Sequence, residues 1–170
     1  MSREWAPVGL PITVTAHLTN TAVITTGVDV ALPLPAELLN PTALAATNGA
    51  PVYDNAGRTV TWSGTVPGAD TAQVAYTSAI VAGVPACTVI SLTAEATDDL
   101  LITQPMATSL HVVTPDVDCD GDVDIVDIQL VTARWGSAAG DAVYHQRYDL
   151  DGDDAIGVLD VVADATAWQP

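Results

Sequence analysis

Asp116-Val-Asp-Cys-Asp-Gly-Asp-Val-Asp-Ile-Val-Asp127 and Asp149-Leu-Asp-Gly-Asp-Asp-Ala-Ile-Gly-Val-Leu-Asp160 stand 33 positions apart in a chain of 170 residues. Both put carboxylates at positions 1, 3, 5 and 12 of a twelve-residue stretch. A loop of this order wraps one hard cation with side-chain oxygens from 1, 3 and 5, a backbone carbonyl from 7, often a water at 9, and a carboxylate from 12. The expected metal ligands are Asp116, Asp118, Asp120, Asp122, Asp124 and Asp127 in loop 1. In loop 2 they are Asp149, Asp151, Asp153, Ala155 and Asp160, with position 7 (Asp122 or Ala155) acting through its carbonyl. Oxygen-only ligation favours Ca2+ over zinc or copper, and leaves magnesium as a lesser alternative.

The two loops differ at the sixth position, where the backbone turns sharply. Loop 1 has Gly121 there, and loop 2 has Asp154, which enters the left-handed region at a cost of about 1 kcal/mol. Gly157 at position 9 of loop 2 offers no side chain, so the second site is expected to bind more weakly. Carboxylates converging on one point repel each other unless a cation lies among them, which couples metal to fold. A solvated acidic loop holding no ion is the alternative, and it leaves the matching register of the two loops without a reason. Val123 at position 8 is expected to turn inward and pair the loops. After each loop comes an apolar-periodic run, Ile125 to Trp135 and Val158 to Trp168, which predicts one helix each, stopped by Gly136 and followed by Pro170. Asp127 and Asp160 fall in the first turn, where a carboxylate suits the helix dipole.

Charge follows the same division. The formal net charge is −17, and 13 of the 21 acidic residues lie from Asp116 onward. Such a field repels phosphate backbones, which excludes nucleic acid as a partner class. Four arginines and no lysine remove Schiff-base chemistry and phosphate-loop lysines. No apolar run approaches the roughly 18 residues that span a bilayer. Met1 to Trp5 lacks a signal-peptide core, so a secreted origin requires a leader removed upstream. Cys87 and Cys119 are either a disulfide between the two halves or two unpaired thiols.

Upstream of Pro115 the pattern is different. Ile12, Val14, Ala16 and Leu18 alternate with Thr13, Thr15, His17 and Thr19, the period-two mark of a half-buried strand. Further strands are expected at 23–30, 52–53, 60–62, 73–81, 88–96 and 108–113, separated by Gly, Pro, Asn and Asp clusters. Six or seven short strands in this length predict a β-sandwich. Trp62 is expected to pack in the core or at its rim, and His17 and His111 to be surface or satisfied residues. No nucleophile elbow, zinc-binding His pair or acid-base carboxylate pair is evident, so no enzyme is expected.

Val14 to Thr21, Leu32-Pro-Leu-Pro-Ala-Glu-Leu38 and Val60-Thr-Trp-Ser-Gly-Thr-Val66 resemble an immunoglobulin-like repeat domain of bacterial surface proteins. That family usually has a strand before Gly9-Leu10-Pro11. Here only Met1 to Val8 can supply it, so the first strand is short, missing or donated by another chain.

The C-terminal stretch resembles dockerin modules: tandem loop-helix units without the leading helix of a full EF-hand, Asp at position 12, the run Tyr148-Asp149-Leu-Asp-Gly-Asp153, and Trp135 and Trp168 at matching places. The resemblance implies calcium-dependent docking onto a cohesin-like protein in an extracellular or surface assembly. It also places partner recognition at Ile125, Val126, Val158, Leu159 and Arg134. The first four are apolar where the family often has Ser or Thr. They either face a partner or form, with Leu130, Val131 and Val162, a mini-core between the helices. Trp135 and Trp168 are expected as core ends rather than partner anchors.

The expected architecture is therefore an immunoglobulin-like β-sandwich over 1–114, nearly fused to an α-helical paired calcium-loop module over 115–170. The function implied is non-catalytic docking. The rival is a structural subunit of a surface layer or filament, in which the calcium module is a rigid cap and the sandwich self-assembles by strand exchange.

Overall fold

The computed structural model describes residues 4–168. The elements in order are β1 (Trp5–Pro7), β2 (Pro11–Thr19), β3 (Thr26–Pro33), β4 (Ala43–Ala46), β5 (Val52–Asp54), β6 (Thr59–Val66), β7 (Thr71–Ala79), β8 (Val89–Asp98), β9 (Thr103–Val113), α1 (Ile125–Thr132), a 3-10 turn (Gln146–Tyr148) and α2 (Val158–Ala167). The strands form two sheets, of order β1-β9-β8-β3-β6-β5 and β2-β7-β4. This is the expected sandwich followed by a two-helix module. One short strand was not expected from the sequence, the Ala-rich β4, while β1 is the short first strand that was one of three open alternatives.

The chain divides into two compact units. One comprises Pro11–Ala79 and Ser91–Thr108, the other Met1–Leu10, Ile80–Ile90 and Ser109–Pro170.

In the first of these, β2 and β7 pair antiparallel over nine residues, from Pro11↔Ala79 to Thr19↔Thr71. The alternation read from the sequence sends Ile12, Ala16 and Leu18 inward from β2, and Ala72, Val74, Tyr76 and Ser78 inward from β7. Val30, Leu32, Val60, Trp62, Leu92, Ala94 and Ala96 are the buried positions of the other sheet. Trp62 is a core residue, as expected, and its indole N–H donates to the Asn48 carbonyl at 2.7 Å. Gly64 sits in a strand because a Cβ there would overlap the Trp62 ring. Ser78 Oγ donates to the Leu39 carbonyl at 2.6 Å, so its burial is compensated. His17 is exposed.

In the other unit, β1 runs parallel to the end of β9, pairing Trp5↔His111, Ala6↔Val112 and Pro7↔Val113. The first strand is thus short, while residues 1–3 of the Met1 to Val8 segment lie outside the described residues. The Val112 N–H donates to the Thr88 carbonyl at 3.0 Å, next to Cys87. Cys87 and Cys119 form a disulfide with their Cα atoms 5.8 Å apart.

The helical module closes on Val117, Val131 and Ile156, packed by Leu130, Tyr144, Tyr148, Leu150 and Val161. This corrects two expectations and removes one of two open alternatives. Ile156, at position 8 of loop 2, donates its N–H to Ser137 and accepts from Gly136; loop 1's Val123 is buried but does not make this pairing. The mini-core excludes Ile125, Val126, Val158, Leu159 and Val162, all exposed, because the helices meet through the opposite face carrying Val131 and Val161. Trp135 and Trp168 are exposed too, since each lies just past its helix end. Helix α1 stops earlier than expected: a tight turn takes over at Ala133, and Gly136 reverses the chain at φ +77°. Pro170 lies outside the described residues.

Candidate metal centres

Two groups of three carboxylates converge, Asp116 with Asp118 and Asp120, and Asp149 with Asp151 and Asp153. In each group one oxygen per residue lies within 4.8 Å of the others. Ligand oxygens at about 2.3–2.6 Å from one Ca2+ stand up to about 5 Å apart, so both groups fit a single hard cation. Asp116 and Asp149 are buried, whereas Asp118 and Asp120 are exposed.

The backbone of the two loops repeats. Positions 4 and 6 have positive φ in both: Cys119 at +68° and Gly121 at +104°, then Gly152 at +74° and Asp154 at +68°. The glycine has changed places. Loop 1 spends it at position 6 and puts a disulfide-bonded cysteine in the left-handed conformation; loop 2 spends it at position 4 and strains Asp154. Only the Asp154 half of this exchange was legible from the turn rule.

Position 12 does structural work in both loops. Asp127 accepts the N–H groups of Val117 at 2.8 Å and Asp118 at 3.2 Å on Oδ1, and of Asp124 at 2.9 Å on Oδ2. Asp160 repeats this with Leu150 at 2.6 Å, Asp151 at 3.2 Å and Gly157 at 2.7 Å. Asp127 and Asp160 therefore sit beside the groups of three and hold the loop backbone, each at the third position of its helix. Asp124 caps α1 by accepting the Val126 N–H at 2.6 Å. The carboxylates of positions 1, 3 and 5 accept further loop N–H groups, among them Cys119 on Asp116 and Ala155 on Asp153. Tyr144, which sequence reasoning missed, donates its hydroxyl to Asp149 at 2.8 Å.

Crowding and burial raise several of these carboxylates above their ordinary range. Desolvation and then the neighbouring Asp120, Asp127 and Asp116 raise Asp118 above the ordinary carboxylate range, against an opposing backbone hydrogen bond. The charge of Asp120 is the first cause at Asp122. Asp149 and Asp151 are raised chiefly by burial. A divalent cation would supply the missing counter-charge.

The residues expected to meet a partner are at the surface. Ile125 is 46% and Val126 43% exposed, and Val158 is 58% and Leu159 60% exposed. These are positions 10 and 11 of each loop, in the first turn of each helix. Arg134 is engaged within the module: its guanidinium lies 3.7 Å from the Tyr148 ring centroid and donates to the Leu130 carbonyl at 2.7 Å.

Asp164 gave no signal in the sequence. It is 0% exposed, and neither carboxylate oxygen has a hydrogen-bond partner among the described residues. The 33-residue repeat aligns it with the buried Val131. Burial, and then the charge of Asp127, push it up to about 6.

No family model matches the chain, and no curated protein matches it. Solved structures resemble it only loosely. A variant of BcpA, the major pilin subunit of Bacillus cereus, is 16% identical over 65% of this chain and 38% of its own, with a TM-score of 0.49. This chain thus spans well under half the length of that pilin. The collagen-binding subdomain of the Enterococcus faecalis surface protein ACE is 9% identical over 64% of this chain and 92% of its own, with a TM-score of 0.39. A type II cohesin-X-dockerin complex from Acetivibrio cellulolyticus, an N-terminal interface mutant, gives 18% identity over 93% of this chain and 96% of that one, at a TM-score of 0.31. TM-scores below 0.5 leave the family unassigned.

Proposed function

We propose that this chain is a non-catalytic, calcium-dependent interaction module of an extracellular protein, which docks onto a cohesin-like protein domain. The observation carrying this reading is the exposure of Ile125, Val126, Val158 and Leu159 at equivalent places beside two acidic loops. Four large aliphatic side chains left in water at the loop-helix junctions are an interaction surface by the usual logic of exposed apolar patches. Calcium wound into each loop would fix the first helical turns that carry them, and loop 2 would bind it more weakly. The dockerin resemblance of residues 115–170 supports the same reading and the division into a 1–114 sandwich and a 115–170 docking module. The disulfide fits an oxidising compartment.

Calorimetry against a panel of purified cohesin domains tests it. Binding in calcium, lost in chelator and lost in Ile125→Asp plus Val158→Asp, is the expected result. No binding by any cohesin in calcium, or binding that survives both substitutions, overturns it.

The second reading, a filament or surface-layer subunit, is favoured by one observation: β1 is only three residues long. A longer strand from a neighbouring copy could extend that edge. Sedimentation decides between the two, because monomers at all concentrations rule out strand exchange.

A further inference from the structure

A cleft of about 510 Å³ opens in the unit that carries the loops, lined by Trp5, Arg134, Val143, Tyr144, His145, Arg147 and Tyr148, with two alanines. Its volume is in the range of small-ligand sites. Three arginines are among the described residues, and two of them line this cleft. The third, Arg58, is committed elsewhere, donating to the carbonyls of Pro35 and Leu38.

Both cleft guanidiniums are held in place by aromatic faces. Arg134 lies over Tyr148 at 3.7 Å and Arg147 over Trp5 at 5.5 Å. Trp5 is itself fixed, stacked on His111 at 4.3 Å with His145 edge-on at 5.6 Å. Each guanidinium has five N–H donors. Arg134 gives one nitrogen to the Leu130 carbonyl, and Arg147 gives one to Cys119 Sγ at 3.0 Å. Neither pairs with a carboxylate among the described residues, in a protein of net charge −17. A preorganised, underused fork of this kind matches a planar carboxylate in two-point contact.

His145 adds a neutral donor. Its Nδ1 accepts the backbone N–H of Arg147 at 3.1 Å, which puts the ring proton on Nε2. Burial first, then Arg134 and Arg147, hold its charge off, with Glu4 opposing. The remaining wall is made by Val143, the two alanines and the tyrosine rings, an apolar surface beside the guanidiniums.

We propose that this cleft binds a monocarboxylate carried on a compact ring, the chemistry a hexuronic acid presents, whether free or as a residue of an acidic glycan. The surrounding acidic field disfavours a dianion such as phosphate more than a monoanion. The site uses neither the loop carboxylates nor the four exposed aliphatics, and shares only Arg134 with the residues expected to meet a partner.

The test is a titration of the calcium-loaded full chain with glucuronate, glucose and inorganic phosphate, followed by the NMR signals of the Trp5 indole and of His145. Glucuronate should saturate both signals, with glucose and phosphate far weaker. Arg134→Gln plus Arg147→Gln should weaken glucuronate about tenfold or more. Should that variant melt, Arg147→Lys takes its place, keeping the charge but losing the fork, and should also weaken binding. An oligouronide that binds more tightly than the monomer identifies the glycan as the source; equal affinity identifies the free acid. The proposal fails if glucuronate does not bind, if glucose or phosphate binds as well, if folded Arg variants bind normally, or if only an acidic peptide occupies the cleft.

Discussion

The buried carboxylate of Asp127 accepts the backbone N–H of Val117 at 2.8 Å, ten residues earlier, and so closes loop 1 end to end. Asp160 does the same for loop 2 through Leu150. Each carboxylate collects three N–H groups in all, which makes it the hub of its loop.

Removing either hub should therefore cost far more than removing an exposed loop carboxylate. Asp127→Ala strands three N–H donors and is expected to destabilise the calcium-loaded protein by about 3 kcal/mol or more. Asp122→Ala, with an exposed side chain, should stay within about 0.5 kcal/mol. Urea unfolding in excess calcium measures both. Equal effects would show that the hub role is misassigned.

Asp154 at φ +68° occupies the position that Gly121 fills in loop 1. Asp154→Gly should relieve about 1 kcal/mol and tighten calcium in loop 2 roughly fivefold. Calorimetry resolving the two sites checks this, and an unchanged weaker site counts against it.

Asp164 is buried without a hydrogen bond where the repeat has Val131. Asp164→Val should stabilise the protein by about 1–3 kcal/mol at neutral pH. The sign follows from its value near 6 in the folded chain, above the ordinary carboxylate value. Between those two values the unfolded chain has released its proton while the folded chain keeps it. Stability therefore falls as pH rises through the window, and the loss is complete above about 6. The variant lacks this term, so its advantage should be smallest in acid, grow with pH and then level off. A constant advantage from acid to neutral pH would refute the assignment.

Calcium should raise the melting temperature of the loop-helix segment and leave the β2-β7 sheet unmoved. At a thousandfold excess over Kd, one site contributes about 4 kcal/mol. A chelator scan followed by helical circular dichroism should lose that transition first. A scan unchanged by the chelator removes the metal from the account.

What could be read in advance was local. A twelve-residue ligand spacing and a change from period two to helical period lie within a few turns of chain, so the loops, both helices and the β2 alternation were legible. β4 was not, because Ala43-Leu-Ala-Ala46 has neither β-branched residues nor polar–apolar alternation, and it forms by pairing with β7. The exposed face of α1 was equally hidden. Ile125, Val126, Leu130 and Val131 are all apolar, and only packing decides that Val131 goes inward. The Trp5, His145 and Arg147 cluster joins residues some 140 positions apart, beyond the reach of any spacing rule.

The Cys87–Cys119 bond sets the fourth position of loop 1 on a covalent leash, and loop 2 has nothing equivalent. When calcium departs, loop 2 can wander through many backbone shapes, whereas loop 1 can drift only a short way from its wound form. Restricting that search shortens the route back. The two sites should thus differ in tempo as well as in strength, with loop 1 the quicker to recapture its ion after a passing depletion.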